Sequence, residues 1–180
     1  MKTYQPVFDF WFHPEHAPYW FENSTAFDEK IRSEFYDLWH SVSRAECWYW
    51  RESIQGRLAE IIVLDQFSRN LFRDSAEAFS QDTMALVLAQ EAIQLPEFDA
   101  LSLDEKRFLL MPYMHSESSA IHKLAVPLFK EHTDDLSYEF ELKHQAIIER
   151  FGYYPHRNEA RNRNSTPEEI EFLKDPNNSF

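Results

Sequence analysis

The sequence predicts an all-α protein, folded as a single compact domain of about seven helices. Apolar residues recur at spacings of three and four along most of the chain, which is the period of an amphipathic helix. Only 2 of the 180 residues are glycine, too few for folds that depend on many tight turns. No segment gives a convincing strand pattern, so these observations together favour a helical fold.

The first half of the chain predicts three helices behind an aromatic start. Residues 7–12 are strongly aromatic and predict a short helix or an extended segment packed against the core. A helix is predicted over residues 25–39, where Thr25 offers an N-cap and apolar residues repeat at helical spacing. Two more are predicted over about 47–67 and 77–93. The last of these is apolar almost all round, which is typical of a central, buried helix.

The second half predicts three further helices from their caps and breakers. A capping box at residues 102–105 starts the fourth helix, which Pro112 is expected to end or kink. The fifth helix has the most regular apolar spacing and contains Pro127, so a kink is expected there. Gly152 is expected to end the sixth helix, over 136–151, in the left-handed conformation.

A seventh helix completes the predicted domain. A capping box at residues 166–169 starts it, and it should run to about residue 173. Helices joined by short loops are expected to pack as antiparallel pairs. Residues 1–174 are therefore predicted to form one helical domain, and residues 175–180 a frayed tail.

The composition argues against several classes of partner and cofactor. The formal charge of −13, from 18 basic and 31 acidic residues, repels nucleic acid and anionic membrane surfaces, so neither is expected as a partner. No apolar run is long enough to span a bilayer and no apolar signal segment opens the chain, so the default expectation is a soluble, cytoplasmic protein. Glycine-rich nucleotide-binding loops are absent, and no cofactor is expected.

No metal site is predicted. Cys47 is the only cysteine, so neither an intrachain disulfide nor a cysteine-rich zinc site can form. Glu141 and His144 have the Glu-x-x-His spacing of di-iron bundles, but such sites need a second motif that the sequence lacks. His144 is therefore expected to be a core histidine bonded to a neighbouring helix.

The first candidate site segment is residues 64–70, where a helical pattern gives way to irregular sequence. Asp65 and Arg69 are four residues apart and share one helix face, and the next residue is Asn70. One interpretation is that Arg69 and Asn70 point into a pocket at the helix end. The alternative is an intrahelical ion pair, worth only about 0.2–0.5 kcal/mol, at a polar helix end.

A second Arg-Asn pair, Arg157-Asn158, follows an aromatic segment and a helix-ending glycine. The preceding proline makes this loop rigid, and Arg157 could bind a carboxylate or phosphate with both guanidinium nitrogens. His156 is a candidate acid-base residue. Arg161 and Arg163 extend the basic patch. Alternatively, Arg157 and Asn158 satisfy helix-end carbonyls and fix the last helix to the body.

His115 and Glu117 form a third candidate, in a short segment between two predicted helices. A histidine near a carboxylate suits general acid-base chemistry, because its pKa can be tuned across neutrality. The alternative is that Ser116 caps the next helix and Glu117 stabilises its first turn.

Five motifs occur in a fixed order, over residues 64–70, 78–82, 111–117, 144–158 and 165–169. With these motifs and the aromatic start at residues 10–12, nearly the whole chain resembles a bacterial family known as domain of unknown function 924. The resemblance implies a tetratricopeptide-like helical fold and no established activity. The chain departs from the family pattern at three places. Ser68 stands where the family has Pro, Tyr153 where Arg is usual, and Arg161-Asn162-Arg163 where the family has Leu-Gly-Arg. Asn162 can replace the glycine because asparagine also accepts the left-handed conformation.

Three functional hypotheses remain open from the sequence. The first is a binding module whose polar pocket takes a small anionic ligand or an acidic peptide end, lined by Asp65, Arg69, Asn70, His115, Glu117, His156, Arg157 and Asn158. The second is a hydrolase that uses His115 or His156 for acid-base catalysis. The third is a structural or protein-interaction scaffold with no small-molecule site. The oligomeric state is open in all three.

Overall fold

The described part of the chain, residues 2–178 apart from the Asn177 side chain, is helical and contains no strand in the computed structural model. The predicted all-α fold class is therefore confirmed. The nine α-helices of this part are α1 Gln5–Trp11, α2 Thr25–Ser43, α3 Ile54–Ile62, α4 Ser68–Leu71, α5 Asp82–Ala92, α6 Leu103–Met114, α7 Ser119–His132, α8 Asp135–Phe151 and α9 Pro167–Phe172. They exceed the predicted seven because the aromatic start is a helix and the second predicted helix is divided between α3 and α4.

The divided helix is a continuous rod made of α3, the π-helical turn Val63–Phe67 and α4. The prediction that it begins near residue 47 is wrong, because Trp48–Glu52 forms a 3-10 helix. The Ser53 hydroxyl then caps the rod by accepting a hydrogen bond from the backbone N–H of Gly56 at 3.0 Å. The aromatic residues before Ser53 therefore belong to a separate turn.

The centre of the core is this rod rather than α5. Every residue from 58 to 68 is buried, and the rod contacts α1, α2, α5 and α6. The Ser68 hydroxyl donates to the backbone oxygen of Leu64 at 2.6 Å and accepts from the Trp39 indole at 2.8 Å, which joins the rod to α2. The prediction that the third helix is buried all round is wrong, because α5 packs by one face and leaves Val87 half exposed.

Two predicted helix boundaries moved. The third predicted helix begins at Asp82 instead of residue 77, because Ala76–Phe79 forms a 3-10 helix before it. The carboxylate of Asp82 lies in the first turn of α5, where a negative charge is favourable. Pro112 does not end α6, which continues to Met114 with both sides of the proline buried in the core.

The last two long helices, α7 and α8, pack against each other and are joined by residues 133 and 134 alone. Asp134 caps α8 by accepting from the backbone N–H of Ser137 at 2.7 Å. Gly152 ends α8 with a φ of 80°, so the predicted left-handed cap is present. The capping box at Thr166 also starts α9 as predicted.

Of the tail predicted over residues 175–180, Pro176–Asn178 forms a short 3-10 helix, and residues 179 and 180 lie outside the described residues. Among the described helices, none combines the length and apolarity that crossing a membrane requires.

Gly56 is required by close approach of the chain to itself. A Cβ at this position would lie 2.0 Å from the backbone oxygen of Trp50. Alanine normally stabilises a helix relative to glycine by about 1 kcal/mol. We nevertheless expect Gly56→Ala to lower the free energy of unfolding by at least about 2 kcal/mol, because the clash is with backbone. Urea denaturation measures this.

The matched control is Gln55→Ala, one residue earlier in the same helix, which should change stability by less than about 0.5 kcal/mol. A Gly56→Ala variant as stable as the wild type would contradict the close packing of the rod against Trp48–Glu52.

Candidate functional site

The candidate site is built around Asp65, which the π-helical turn places in the fully buried part of the rod. One carboxylate oxygen, Oδ1, accepts from His115 Nδ1 at 2.7 Å and from Arg69 Nη1 at 3.1 Å. The other, Oδ2, accepts from Gln66 Nε2 at 2.5 Å. Burial alone would raise the pKa of Asp65, but Arg69 and His115 outweigh it and hold this pKa well below its usual range. Asp65 is therefore ionised.

Asp82 joins the two predicted segments. Its carboxylate accepts from Arg69 Nη1 at 3.0 Å and Nη2 at 3.2 Å, and from Arg157 Nη1 at 3.3 Å. The guanidiniums of Arg69 and Arg157 also lie 5.6 and 4.5 Å from the centre of the Phe79 ring. Arg69 and Arg157, distant in sequence, therefore meet at one carboxylate and one aromatic ring.

Arg157 is the most deeply buried of these arginines, with 3% of its surface exposed. Its guanidinium lies between the rings of Phe79 and Tyr154, and its Nη2 donates to the backbone oxygen of His115 at 3.1 Å. Burial lowers the pKa of Arg157 to about 10, with Asp82 opposing this shift and Arg69 adding to it. Arg157 thus remains charged and braces the end of α6.

Glu117 binds the remaining arginines, Arg161 and Arg163. Its Oε1 accepts from the backbone N–H of Tyr154 at 3.0 Å and from Arg163 Nη2 at 3.2 Å, and Arg161 Nη1 lies 3.6 Å from its Oε2. Asn162, between the two arginines, has a φ of 53°, which is the left-handed conformation predicted for it. Burial would raise the pKa of Glu117, but these donors lower it. We call Arg69, Arg157, Arg161 and Arg163 the arginine cluster.

An open depression lies beside the arginine cluster. Its volume is about 490 Å³, and it is lined by Ala76, Phe79, Ser80, Arg161 and Arg163. Arg161 is the most accessible guanidinium here, with 35% of its side chain exposed, and it lies 5.5 Å from the Phe79 ring centre. The lining therefore offers cations, an aromatic ring and a hydroxyl.

Two predicted site residues do not join the cluster. Asn70 donates to Asp28 on α2 at 2.7 Å, where Arg73 also binds. Asn158 donates to Ser165 at 3.1 Å and to Glu169 at 3.2 Å, which ties α9 to the preceding loop. Asn158 thus fixes the last helix, as the alternative to a site predicted, although its partners are side chains and not helix-end carbonyls, and Asn70 joins the rod to α2.

The two candidate histidines differ in what their rings can do. His115 keeps 15% of its side chain exposed, and its side-chain hydrogen bond among the described residues is made by Nδ1, to Asp65. Burial and Arg69 lower its pKa, and Asp65 partly opposes them. Burial and Arg157 lower the pKa of His156 to about 3. His156 is therefore the weaker acid-base candidate.

Sequence reasoning did not name Asp82, Phe79 or Tyr154 as site residues, although they lie within two of the five motifs that carry the family resemblance. Tyr154 is fully buried, and its hydroxyl donates to the backbone oxygen of Met114 at 2.5 Å. An acid at the start of a helix was the available signal for Asp82, but the helix was predicted to begin five residues earlier. Within the described residues, no group of three or more His, Cys, Asp or Glu side chains is arranged to hold a metal ion.

Fold and site together define an all-helical domain with a paired arginine cluster at the meeting point of two chain segments. Residues 7–177 match the model of a family described as bacterial protein of unknown function (DUF924), and the chain belongs to this family. A solved structure of a protein of unknown function from Agrobacterium tumefaciens is similar over 95% of this chain and 96% of that one, with 34% identity and a TM-score of 0.88. None of the curated proteins matches this chain.

The lowered pKa of His156 makes stability depend on pH. The unfolded chain should bind a proton at this histidine below about pH 6.5, whereas the folded protein does so only near its pKa of about 3. Stability is therefore lost as pH falls from 6.5. Between pH 6.5 and 4.5 we expect the wild type to lose about 2 kcal/mol more than His156→Gln, measured by urea denaturation.

The control is His13→Gln, which removes an exposed histidine. It should follow the wild-type pH dependence. Identical curves for the wild type and His156→Gln would show that His156 is not held neutral in the fold.

Proposed function

We propose that this protein binds a small anion at the depression between Phe79 and the exposed members of the arginine cluster. The supporting observation is that Arg161 and Arg163 line this depression while no carboxylate does. Guanidiniums bind carboxylates and phosphates through charge-assisted hydrogen bonds, and an aromatic ring offers a planar ligand a face.

Local charge favours this function. The four guanidiniums of the cluster face three carboxylates, Asp65, Asp82 and Glu117, so this region is net positive. The protein as a whole carries −13. Because like charges elsewhere repel an anion, this region is where one would be retained.

In this proposal, some arginines of the cluster stabilise the fold and others bind the ligand. Arg69 and Arg157 are paired with Asp65 and Asp82, and they hold the floor of the depression through the Phe79 ring. Arg161 makes its ion pair with Glu117 at 3.6 Å, which is longer than the other contacts of that carboxylate. Its guanidinium is therefore the group most available to a ligand.

The Glu117 carboxylate suggests the chemistry of the ligand. Glu117 already accepts from Arg163 and from the backbone N–H of Tyr154, in the way that a bound carboxylate would. A small carboxylate or phosphate, or the carboxylates of an acidic peptide end, would compete for the same donors.

Substitution of Arg161 tests the site directly. We expect Arg161→Ala to weaken the binding of citrate, inorganic phosphate or a peptide ending in two acidic residues by at least about tenfold, since a charge-assisted hydrogen bond is worth about 1.5–3 kcal/mol. Isothermal titration calorimetry at fixed ionic strength measures the affinity.

The matched control is Arg150→Ala. Arg150 is also exposed and pairs with Glu168, so the variant loses the same charge at a position that does not line the depression. It should bind as the wild type does. Equal losses in the two variants, or no binding of these anions by the wild type, would refute the proposed function.

Removing the charge of Glu117 should have the opposite effect. Glu117→Gln keeps an acceptor for the Tyr154 N–H but releases Arg161 and Arg163 from their counter-charge. We expect the affinity for citrate to rise by about tenfold. An unchanged or weaker affinity, with folding intact by circular dichroism, would show that ligand and Glu117 do not compete.

A further inference from the structure

We propose that His115 and Asp65 form a hydrolytic centre for small esters, in which His115 is the general base and Asp65 is the residue that positions it. This activity goes beyond anion binding and does not depend on Arg161 or Arg163.

The hydrogen bond between the two residues fixes the state of the imidazole. Asp65 is an ionised acceptor, so the bond of 2.7 Å to its Oδ1 requires the proton of His115 to be on Nδ1. The lone pair is then on Nε2, which makes no hydrogen bond among the described residues and belongs to a side chain that is 15% exposed. This is the arrangement of a histidine that accepts a proton from a substrate or from water.

Asp65 is itself held firmly. It lies in the buried rod, and Gln66 and Arg69 bind the carboxylate in addition to His115. The ring of His115 therefore cannot turn without breaking a charge-assisted hydrogen bond in the interior. A fixed base needs no reorganisation when the reaction begins.

Arg69 supplies a cation beside the base. Its Nη1 binds the same oxygen of Asp65 as His115 Nδ1 does, at 3.1 Å, and 20% of its side chain is exposed. Both donors therefore hold Asp65 as a carboxylate, so that the acceptor that orients His115 stays charged. Base and cation come from two different elements, α6 and the rod, that one carboxylate holds together.

Other histidines in the interior lack this combination. Both ring nitrogens of His122 are engaged, with Glu141 at 2.7 Å and with the backbone oxygen of Ser116 at 2.9 Å. His144 is buried and bonded through Nδ1 to the backbone oxygen of Phe140 at 2.7 Å. Of these three histidines, His115 is the one that binds a carboxylate through Nδ1 and makes no hydrogen bond through Nε2 among the described residues.

In the proposed reaction, His115 accepts one proton from water and later gives it to the leaving group. Water gives a proton to Nε2 while its oxygen forms a bond to the acyl carbon of the ester, and the carbonyl oxygen becomes an oxyanion. The bond from the acyl carbon to the alkoxide oxygen then breaks, and the leaving alkoxide takes the proton from Nε2. The products are a carboxylic acid and an alcohol, and His115 is neutral again.

The electrostatics of His115 agree with this role. Burial and Arg69 lower the pKa of His115 below its usual value near neutrality, so the ring is unprotonated at pH 7. When it accepts a proton, the ionised Asp65 stabilises the imidazolium. The rate should therefore be flat above neutral pH and fall as pH drops through a midpoint below about 6.5.

Hydrolysis of p-nitrophenyl acetate tests the proposal, with p-nitrophenyl butyrate as a second probe. The wild type is expected to show saturable turnover at a rate above that of an equal concentration of free imidazole. The rate of His115→Gln is expected to be at least about a hundredfold lower than that of the wild type. His132→Gln is the matched control, because His132 is also half-buried but lies at the end of α7, and it should keep the wild-type rate. An unchanged rate in His115→Gln, or no turnover by the wild type above imidazole, would overturn the proposal.

Nitrogen chemical shifts of the wild-type imidazoles give a second test that needs no folded variant. His115 should carry its proton on Nδ1 at pH 7, and the midpoint of its titration should equal the midpoint of the pH–rate profile. A charged ring at pH 7, or a proton on Nε2, would overturn the proposal. Anion affinity measured on the same samples separates the two functions, because His115→Gln should bind citrate as the wild type does.

Discussion

The carboxylate of Asp82 is the constraint on which the site depends. It accepts from Arg69 and Arg157, two guanidiniums that come from distant parts of the chain and lie against one Phe79 ring. Two like charges in the interior repel each other and lose hydration, and only a shared counter-charge makes their approach favourable. Asp82 thereby joins the rod, α5 and the loop after α8.

Everything near the depression follows from that junction. Arg157 reaches from Asp82 to the end of α6, and so fixes the segment that carries His115 and Glu117. Glu117 in turn orients Arg161 and Arg163 at the surface. The buried charges thus act as supports, and the partly exposed ones are available for chemistry, which is the usual division in a preorganised site.

Local patterns predicted much of the fold and part of the site. The helical spacing from Phe27 to Leu38, the glycine at 152 and the capping box at Thr166 act through neighbours in sequence. α8 ends and α9 begins where these features predict, and α2 is present, although Ser24 caps it instead of Thr25 and it continues to Ser43. The π-helical turn, the 3-10 helix before Asp82 and the boundary at Ser53 depend on packing against other elements, which one sequence does not encode locally. The resemblance to the DUF924 family was also correct.

Contacts between residues that are distant in sequence were the hardest feature to predict. Arg69 and Asn70 are adjacent, but successive helical residues point about 100° apart, so one meets Asp82 and the other meets Asp28. The pairing of Arg157 with Asp82, and of Asn158 with Glu169, likewise depends on tertiary structure. The position of these residues in the sequence could indicate that they lie near a polar site, but not which of them lie in the same site.

A double-mutant cycle between Asp82→Ala and Arg157→Ala tests the junction most directly, with the free energy of unfolding measured by urea denaturation. A coupling energy of at least about 2 kcal/mol is predicted, because Asp82→Ala leaves the buried guanidinium of Arg157 without this carboxylate, whereas Arg157→Ala leaves Asp82 paired with Arg69. The same cycle between Asp82→Ala and Arg163→Ala, two residues with separate partners, should give a coupling near zero. A coupling below about 0.5 kcal/mol for Asp82 and Arg157 would contradict the central role of that carboxylate.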